Sequence, residues 1–263
     1  MKTEGSTLPA RTRRTAAGGT AGAVEQGATR RGLFRWGAVL GGGTLLTACG
    51  TQRAPAAPAA QERPERISDP DEALELLRRG NERFAAAPER HSAHTAAHRV
   101  RIASGQHPFA IVLSCADSRV PPELVFDQDL GDLFVVRTAG QVVAPPVLGS
   151  IQYGVEHLHV PLLVVLGHEG CGAVSATLEA LQQGAGPSGT AIDSLVDAIR
   201  PAAQRALAGA DEAHRLGEAV RLNVLDGVSA LAADPVLAEA VHAGRLRVVG
   251  ATYDLQDGEV AFL

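Results

Sequence analysis

Four short runs of apolar residues mark the predicted strands of this chain. They lie at 108–114, 133–136, 162–166 and 246–251 and are rich in valine, leucine and isoleucine. Because the runs do not alternate with polar residues, they are typical of strands buried on both faces of a sheet. A last strand is predicted at 260–263, after a hairpin turn at Asp257-Gly258.

Helical patterns surround these runs. Ser68-Asp69-Pro70 predicts a helix start, and the helix should end near Pro88. Two stripes of apolar residues at helical spacing predict two further helices. The stripes are Val147, Leu148, Ile151, Val155 and Leu158, and Val220, Val224, Leu225, Val228 and Leu231. Asp234-Pro235 predicts the start of a short helix that stops at Gly244.

A second short helix is predicted at 91–101, and it carries three histidines. His91, His94 and His98 could share one face and bind a metal. A solvated polar face is the expected interpretation.

Strands that alternate with helices predict an α/β fold with a mainly parallel central β-sheet flanked by helices. Hydrophobic residues make up 45% of the 263 residues and charged residues 20%, so the chain is globular. Aromatic residues are only 3%, so aliphatic side chains must fill the core. The net charge of −5 argues against nucleic acid as a partner, because nucleic-acid binding needs a basic surface.

The first 48 residues are typical of an export signal. Thr29-Arg30-Arg31-Gly32-Leu33-Phe34-Arg35 resembles a twin-arginine signal, and the apolar stretch after it is too short for a permanent membrane anchor. Leu46-Thr47-Ala48-Cys49 resembles a bacterial lipobox, which implies that Cys49 is lipidated. We therefore expect an exported cell-envelope lipoprotein on the outer face of the membrane, attached only through this lipid.

Three segments follow from these patterns. Residues 1–48 form the signal peptide, residues 49–67 form an Ala/Pro-rich tether, and residues 68–263 form one domain.

The chemistry is concentrated where two predicted strands end. Cys115 follows the run at 108–114, and His168 and Cys171 follow the run at 162–166. In open α/β sheets, ligands bind beyond the carboxyl ends of the strands. With Asp117, these residues offer two thiolates, an imidazole and a carboxylate, which are ligand types that zinc accepts. Spacing alone leaves two alternatives open, a Cys115–Cys171 disulfide and a pair of inert buried thiols.

Longer motifs favour the zinc site over the disulfide and the inert thiols. Cys115-Ala116-Asp117-Ser118-Arg119-Val120-Pro121-Pro122-Glu123 resembles the signature of the β-class carbonic anhydrases. Two more strings are similar to that family, in the family's order: Gly131-Asp132-Leu133-Phe134-Val135-Val136-Arg137-Thr138-Ala139-Gly140 and Gly167-His168-Glu169-Gly170-Cys171-Gly172-Ala173. The resemblance covers the chain from about Ser68 to Leu263.

The resemblance implies roles for individual residues. Cys115, His168 and Cys171 match the family's zinc ligands, and Asp117 matches an Asp that either takes the fourth zinc position or turns to an Arg, here Arg119. Gln106 matches a Gln that faces the substrate. Phe134 and Tyr153 match apolar residues that wall the pocket, partly from the partner subunit.

Three positions depart from the family pattern. Ala139 stands where several members have Val, and Thr138 stands where many have Asn. Val112 stands where the bicarbonate-inhibited members have Trp, which argues against that effector site here.

The implied function is the zinc-dependent, reversible hydration of CO2 to bicarbonate through zinc-bound hydroxide. Zinc would lower the pKa of its bound water to about 7–9, towards the upper part of that range because two thiolates donate more charge than imidazoles, and this makes hydroxide available near neutral pH. The family also implies a homodimer or a dimer of dimers. Two rival functions are a carbonyl sulfide or carbon disulfide hydrolase on the same fold, and a non-catalytic zinc-binding lipoprotein.

Overall fold

The structure is a computed structural model, and it describes residues 66–86 and 95–263. The predicted signal peptide, Cys49, all but the last two residues of the tether, and His91 and His94 lie outside the described residues. His98 is described, and its Nε2 lies 2.9 Å from the carbonyl oxygen of Leu130 at the surface.

In the described part of the chain, five strands form one sheet in the order β2-β1-β3-β4-β5. Their bounds are β1 Ala110–Cys115, β2 Leu133–Thr138, β3 Leu162–His168, β4 Arg247–Tyr253 and β5 Val260–Phe262. The first four are parallel and β5 is antiparallel to β4. The prediction of an α/β fold with a mainly parallel sheet is therefore confirmed. The predicted hairpin is also present, although its loop spans 254–259 rather than two residues.

The helices are α1 Pro70–Ala86, α2 Ala96–Ile102, α3 Pro122–Val125, α4 Pro145–Glu156, α5 Gly172–Gln182, α6 Ile192–Gly209, α7 Arg215–Ala233 and α8 Pro235–His242. A single 3₁₀ turn, Ala139–Gln141, follows β2. Asp69 caps α1 by accepting hydrogen bonds from two backbone N–H groups of the first turn. None of the helices in the two described ranges is long and apolar enough to cross a membrane.

Helix α6 is absent from the sequence-based prediction. Its buried face consists of one isoleucine and three alanines, and Pro201 lies inside it. Small side chains give a weak periodic signal, and an internal proline argues against a helix. Packing against α5 and α7 stabilises α6, and the local sequence carries no signal of this packing.

The sheet is covered on both faces in its centre. Helix α1 packs with Val112 and Leu166 on one face, and α4, α7 and α8 pack with Ile111 and Leu163 on the other. Strands β1 and β3 are buried throughout, as the unbroken apolar runs predict. Ile67, which belongs to the predicted tether, is also buried in the first of these clusters.

Strand β2 differs from this expectation. Its side chains are mostly half-buried because it is the outer strand of the sheet in the described chain. An apolar strand at an open edge is a surface that a second chain can cover.

Candidate metal centre

Three ligand atoms meet at the carboxyl edge of the sheet. Cys115 ends β1, His168 ends β3, and Cys171 precedes α5. One ligand atom from each lies within 4.8 Å of the others, and the two sulfur atoms are 4.0 Å apart. The three residues are 5%, 0% and 1% exposed. This arrangement brings together the three residues that the sequence predicts as zinc ligands.

The local backbone explains how Cys171 returns to the strand end. Gly170 has φ +60°, a left-handed conformation that favours glycine. The chain therefore turns sharply after β3 and places Cys171 at the N-cap of α5. The positive end of a helix favours a thiolate there.

His168 is oriented by its neighbour in the chain. Its Nδ1 donates a hydrogen bond of 2.8 Å to the carbonyl oxygen of Glu169, which leaves Nε2 facing the sulfurs. Within the described residues, this buried Nε2 has no hydrogen-bond partner. A buried nitrogen lone pair without a partner is costly, and a metal ion would satisfy it. The donor set therefore fits zinc.

The two thiols lie within hydrogen-bond distance of each other, and this contact shifts their pKa values in opposite directions. The hydrogen bond from Cys171 lowers the pKa of Cys115 to about 4. The same contact, together with burial, raises the pKa of Cys171 above its ordinary value. Zinc binds thiolates, so metal binding would be coupled to loss of the proton from Cys171. Both cysteines are free in the structure, and 4.0 Å is far beyond the ~2.0 Å of a disulfide bond.

Asp117 is held by Arg119. Oδ1 of Asp117 accepts hydrogen bonds of 2.9 Å from the backbone N–H and from Nε of Arg119, and Oδ2 accepts one of 2.7 Å from Nη2. These side-chain hydrogen bonds hold the pKa of Asp117 well below its usual range. Oδ2 also lies 3.8 Å from Nε2 of His168, too far for a hydrogen bond. Asp117 therefore stands beside the cluster, and its role as a fourth ligand stays a prediction.

Arg137 has a role that the sequence does not predict. From β2 it donates through Nε to the carbonyl oxygen of Cys115, at 2.8 Å, and through Nη2 to that of Asp117. One guanidinium thus fixes the backbone on both sides of Ala116. Its place near the carboxyl end of a strand parallel to β1, opposite Ser114, is the signal that could have revealed this contact.

The three predicted substrate-contacting residues lie away from this cluster. Phe134 is opposite Ile111 in the register, four positions before the Cys115–Thr138 pair, which corresponds to about 13 Å along the strands. Its ring lies 6.3 Å from that of Tyr153, which is 47% exposed. Gln106 is exposed before the amino end of β1. Within one chain these residues do not line the metal centre, and their contact with substrate stays a prediction.

Comparisons with known proteins agree with this geometry. A family model described as carbonic anhydrase matches residues 110–260. Carbonic anhydrase 2 of Mycobacterium tuberculosis is 44% identical over 192 residues, which cover 73% of this chain and 91% of that protein. The carbonic anhydrase of Mycolicibacterium smegmatis is 43% identical over 194 residues, with coverages of 73% and 93%.

Solved structures show the same likeness. A tetrameric β-carbonic anhydrase of Sordaria macrospora superposes with a TM-score of 0.58 at 28% identity, covering 73% of this chain and 97% of that one. A Coccomyxa β-carbonic anhydrase in complex with acetazolamide has a TM-score of 0.58 at 26% identity, with coverages of 75% and 87%. Since the family model spans more than half of the chain and the fold matches these structures, the chain belongs to the carbonic anhydrase family, in its β class.

Proposed function

We propose that this protein is a carbonate dehydratase that interconverts CO2 and bicarbonate with zinc. The observation that carries the proposal is the buried cluster of Cys115, His168 and Cys171 beside the Asp117–Arg119 pair. Three protein ligands with an open fourth position are typical of a catalytic rather than a structural zinc site. Bound there, zinc supplies Lewis acidity, which makes hydroxide available from water at neutral pH.

Asp117 orients the nucleophile. Its Oδ2 faces the ligand cluster and, being ionised, accepts a hydrogen bond from the hydroxyl that attacks CO2. That bond directs an oxygen lone pair towards the carbon of CO2. Without such an acceptor the attacking oxygen would rotate freely, and reaction would be slower.

Arg119 keeps Asp117 in this role. Its two side-chain hydrogen bonds hold the carboxylate ionised and turned towards the guanidinium. Asp117 is thereby held beside the ligand cluster, which would leave a bound zinc accessible to water. Arg119 acts through Asp117 and is a positioning residue.

The substrate pocket is completed by a second chain. Gln106, Phe134 and Tyr153 lie far from the cluster of their own chain, and Tyr153 and the apolar edge strand β2 are only partly covered. In a homodimer, or a dimer of dimers, these residues reach the metal centre of the partner. There Gln106 donates a hydrogen bond to an oxygen of CO2, and the two rings form an apolar wall. The tetrameric relative supports an oligomer.

The segment before the domain supports the proposal that the protein is exported. The twin-arginine and lipobox strings occur in the order that an exported lipoprotein needs, ending at Cys49. Two thiols 4.0 Å apart would be exposed to oxidation in an oxidising compartment. Export of the folded chain, with zinc already bound, protects them. This is the advantage of a twin-arginine route for such a site.

Replacement of Cys171 by Ser should remove zinc and destabilise the fold, because metal-binding free energy is partly folding free energy. Metal analysis of the purified protein should give well under one zinc per chain, with a lowered thermal midpoint and loss of CO2 hydration. Cys49→Ser is the matched control, since it should retain zinc and activity. A full zinc content in Cys171→Ser would contradict the assigned ligands.

Slow CO2 hydration by zinc-loaded wild type, with fast hydrolysis of carbonyl sulfide, would favour the rival activity.

Loss of either member of the Asp117–Arg119 pair should leave zinc bound but slow the reaction. Asp117→Ala should lower kcat/KM for CO2 about 100-fold or more, because the acceptor for the nucleophile is gone. Arg119→Ala should also be slow, because Asp117 is then free to occupy the open position. Stopped-flow hydration assays with parallel zinc analysis measure both. Arg79→Ala, which breaks only the exposed pair with Glu75, should behave as wild type. Near-normal rates in both site variants would show that the pair has no catalytic part.

A pocket shared between chains predicts recovery of activity on mixing inactive variants. Gln106→Ala and Cys171→Ser should each be weak or inactive alone. Co-expressed as mixed oligomers, they should regain activity, because one pocket then combines an intact ligand cluster with an intact Gln106. Cys171→Ser mixed with Asp117→Ala is the control that should not recover, since both changes lie in the same half of the pocket. Absence of recovery in the first mixture would place the whole pocket within one chain.

Export should depend on the two arginines of the leader. Arg30→Lys combined with Arg31→Lys should leave zinc-loaded, active enzyme in the cytoplasm. Cys49→Ser should abolish lipidation without loss of activity. Cell fractionation with zinc and activity measured in each fraction tests both. Normal export of the double-lysine variant would overturn the twin-arginine interpretation and leave the enzymatic proposal standing.

A further inference from the structure

The 3₁₀ turn at Ala139–Gln141 contacts the metal centre through the backbone N–H of Gly140 and contacts helix α7 through the carbonyl oxygen of the same residue. The backbone N–H of Gly140 donates to Sγ of Cys115, at 3.4 Å. The carbonyl oxygen of Gly140 accepts a hydrogen bond of 2.9 Å from Nδ2 of Asn223. Asn223 lies on α7, far along the chain, and is 7% exposed. A chain of two hydrogen bonds thus joins α7 to a predicted zinc ligand.

The conformation of this turn is unfavourable by itself. Gly140 has φ +66°, and a Cβ there would lie 2.7 Å from Cδ1 of Ile199. Gln141 has φ +45°, an uncommon conformation for a residue other than glycine. Its side-chain Nε2 and Oε1 are buried and, within the described residues, have no hydrogen-bond partner. Backbone strain and an unsatisfied amide both oppose this conformation, so contacts from neighbouring elements must hold it.

Asn223 supplies such a contact at a specific atom. Its neighbours on α7, Val220 and Val224, are apolar and buried, so an amide at this position is exceptional on that face. A buried amide is costly unless it is hydrogen-bonded. The bond to Gly140 compensates that cost and ties to α7 the residue whose N–H contacts Cys115.

We propose that Asn223 is a positioning residue that holds the Gly140 N–H against Sγ of Cys115 and thereby limits how strongly this sulfur donates charge to the metal. An N–H group that donates to a ligand sulfur withdraws charge from it, and contacts of this kind tune a bound metal. The inference rests on the proposed zinc site and adds to it a residue outside the three motifs. Asn223 touches neither substrate nor metal.

The test is the cobalt-substituted protein, purified as the full chain. Cobalt bound by thiolates gives a sulfur-to-metal charge-transfer band. Asn223→Leu keeps a similar volume but cannot donate a hydrogen bond. The band should move to longer wavelength in this variant, because the sulfur electrons are less stabilised. In the zinc enzyme, the pH of half-maximal CO2 hydration should move upward, since a stronger sulfur donor makes zinc a weaker Lewis acid.

Asn81→Leu is the matched control. Asn81 is 6% exposed and donates to the carbonyl oxygens of Val125 and Gly258, without contact to the sulfurs. Both variants should lose stability, but only Asn223→Leu should move the band. Asn223→Ala, too short to reach Gly140, gives the same readout if the leucine variant does not fold.

Two outcomes overturn the proposal in distinguishable ways. A band unchanged from wild type in the Asn223 variants would make Asn223 merely structural and leave the zinc site intact. Absence of any charge-transfer band in wild type would overturn the thiolate metal site itself, and this inference with it.

Discussion

The parallel pairing of β1 with β3 is the constraint on which the rest of the structure depends. The register pairs Ser114 with Leu166, so the strands end side by side, with Cys115 and His168 at one edge of the sheet. Both strands are buried on both faces, which makes their ends rigid supports for ligands. The chain reaches β2 before it returns to β3, so the connections after β1 and β3 diverge and leave a crevice between them. The metal centre lies at this topological switch point.

Two thiols and an imidazole are buried together at that edge, where a thiolate charge is unfavourable without nearby donors. Several elements supply such donors. The N-terminus of α5 lies at Cys171, and the Gly140 N–H lies at Cys115. Arg119 and Arg137 bring two cationic groups to a chain whose net charge is negative. Arg137 binds the backbone and Arg119 binds the Asp117 carboxylate, so both leave the sulfurs free to bind a metal. The cysteine thiolates are therefore not paired with an arginine, and both sulfurs remain available as metal ligands.

The fold also divides the chemistry between two ends of the sheet. The ligands and Asp117 lie at the carboxyl edge of β1, whereas Phe134, Tyr153 and Gln106 lie towards its amino edge. A single chain therefore offers a ligand set at one end and an aromatic surface at the other. A second copy can join the two halves, which is why the proposed catalytic unit is an oligomer.

The sequence by itself determined the elements with strong local signals. Unbroken apolar runs gave the four parallel strands, because strands buried on both faces need no polar alternation. The residues placed directly after two of those runs indicated the candidate ligands Cys115, His168 and Cys171, because parallel strands end at a common edge. The likeness of three motifs to a known family then gave the Asp117–Arg119 pair.

Tertiary structure alone decided the contacts that join distant parts of the chain. Helix α6 has too few large apolar residues to be recognised without its neighbours. The bonds from Arg137 and Asn223 end on backbone carbonyl oxygens, which carry no sequence signature. The separation of Gln106 from its own metal centre depends on which end of a strand each residue occupies in three dimensions. Local patterns specify elements and ligand types, but the partners of backbone groups and the distances between strand ends exist only once the sheet has formed.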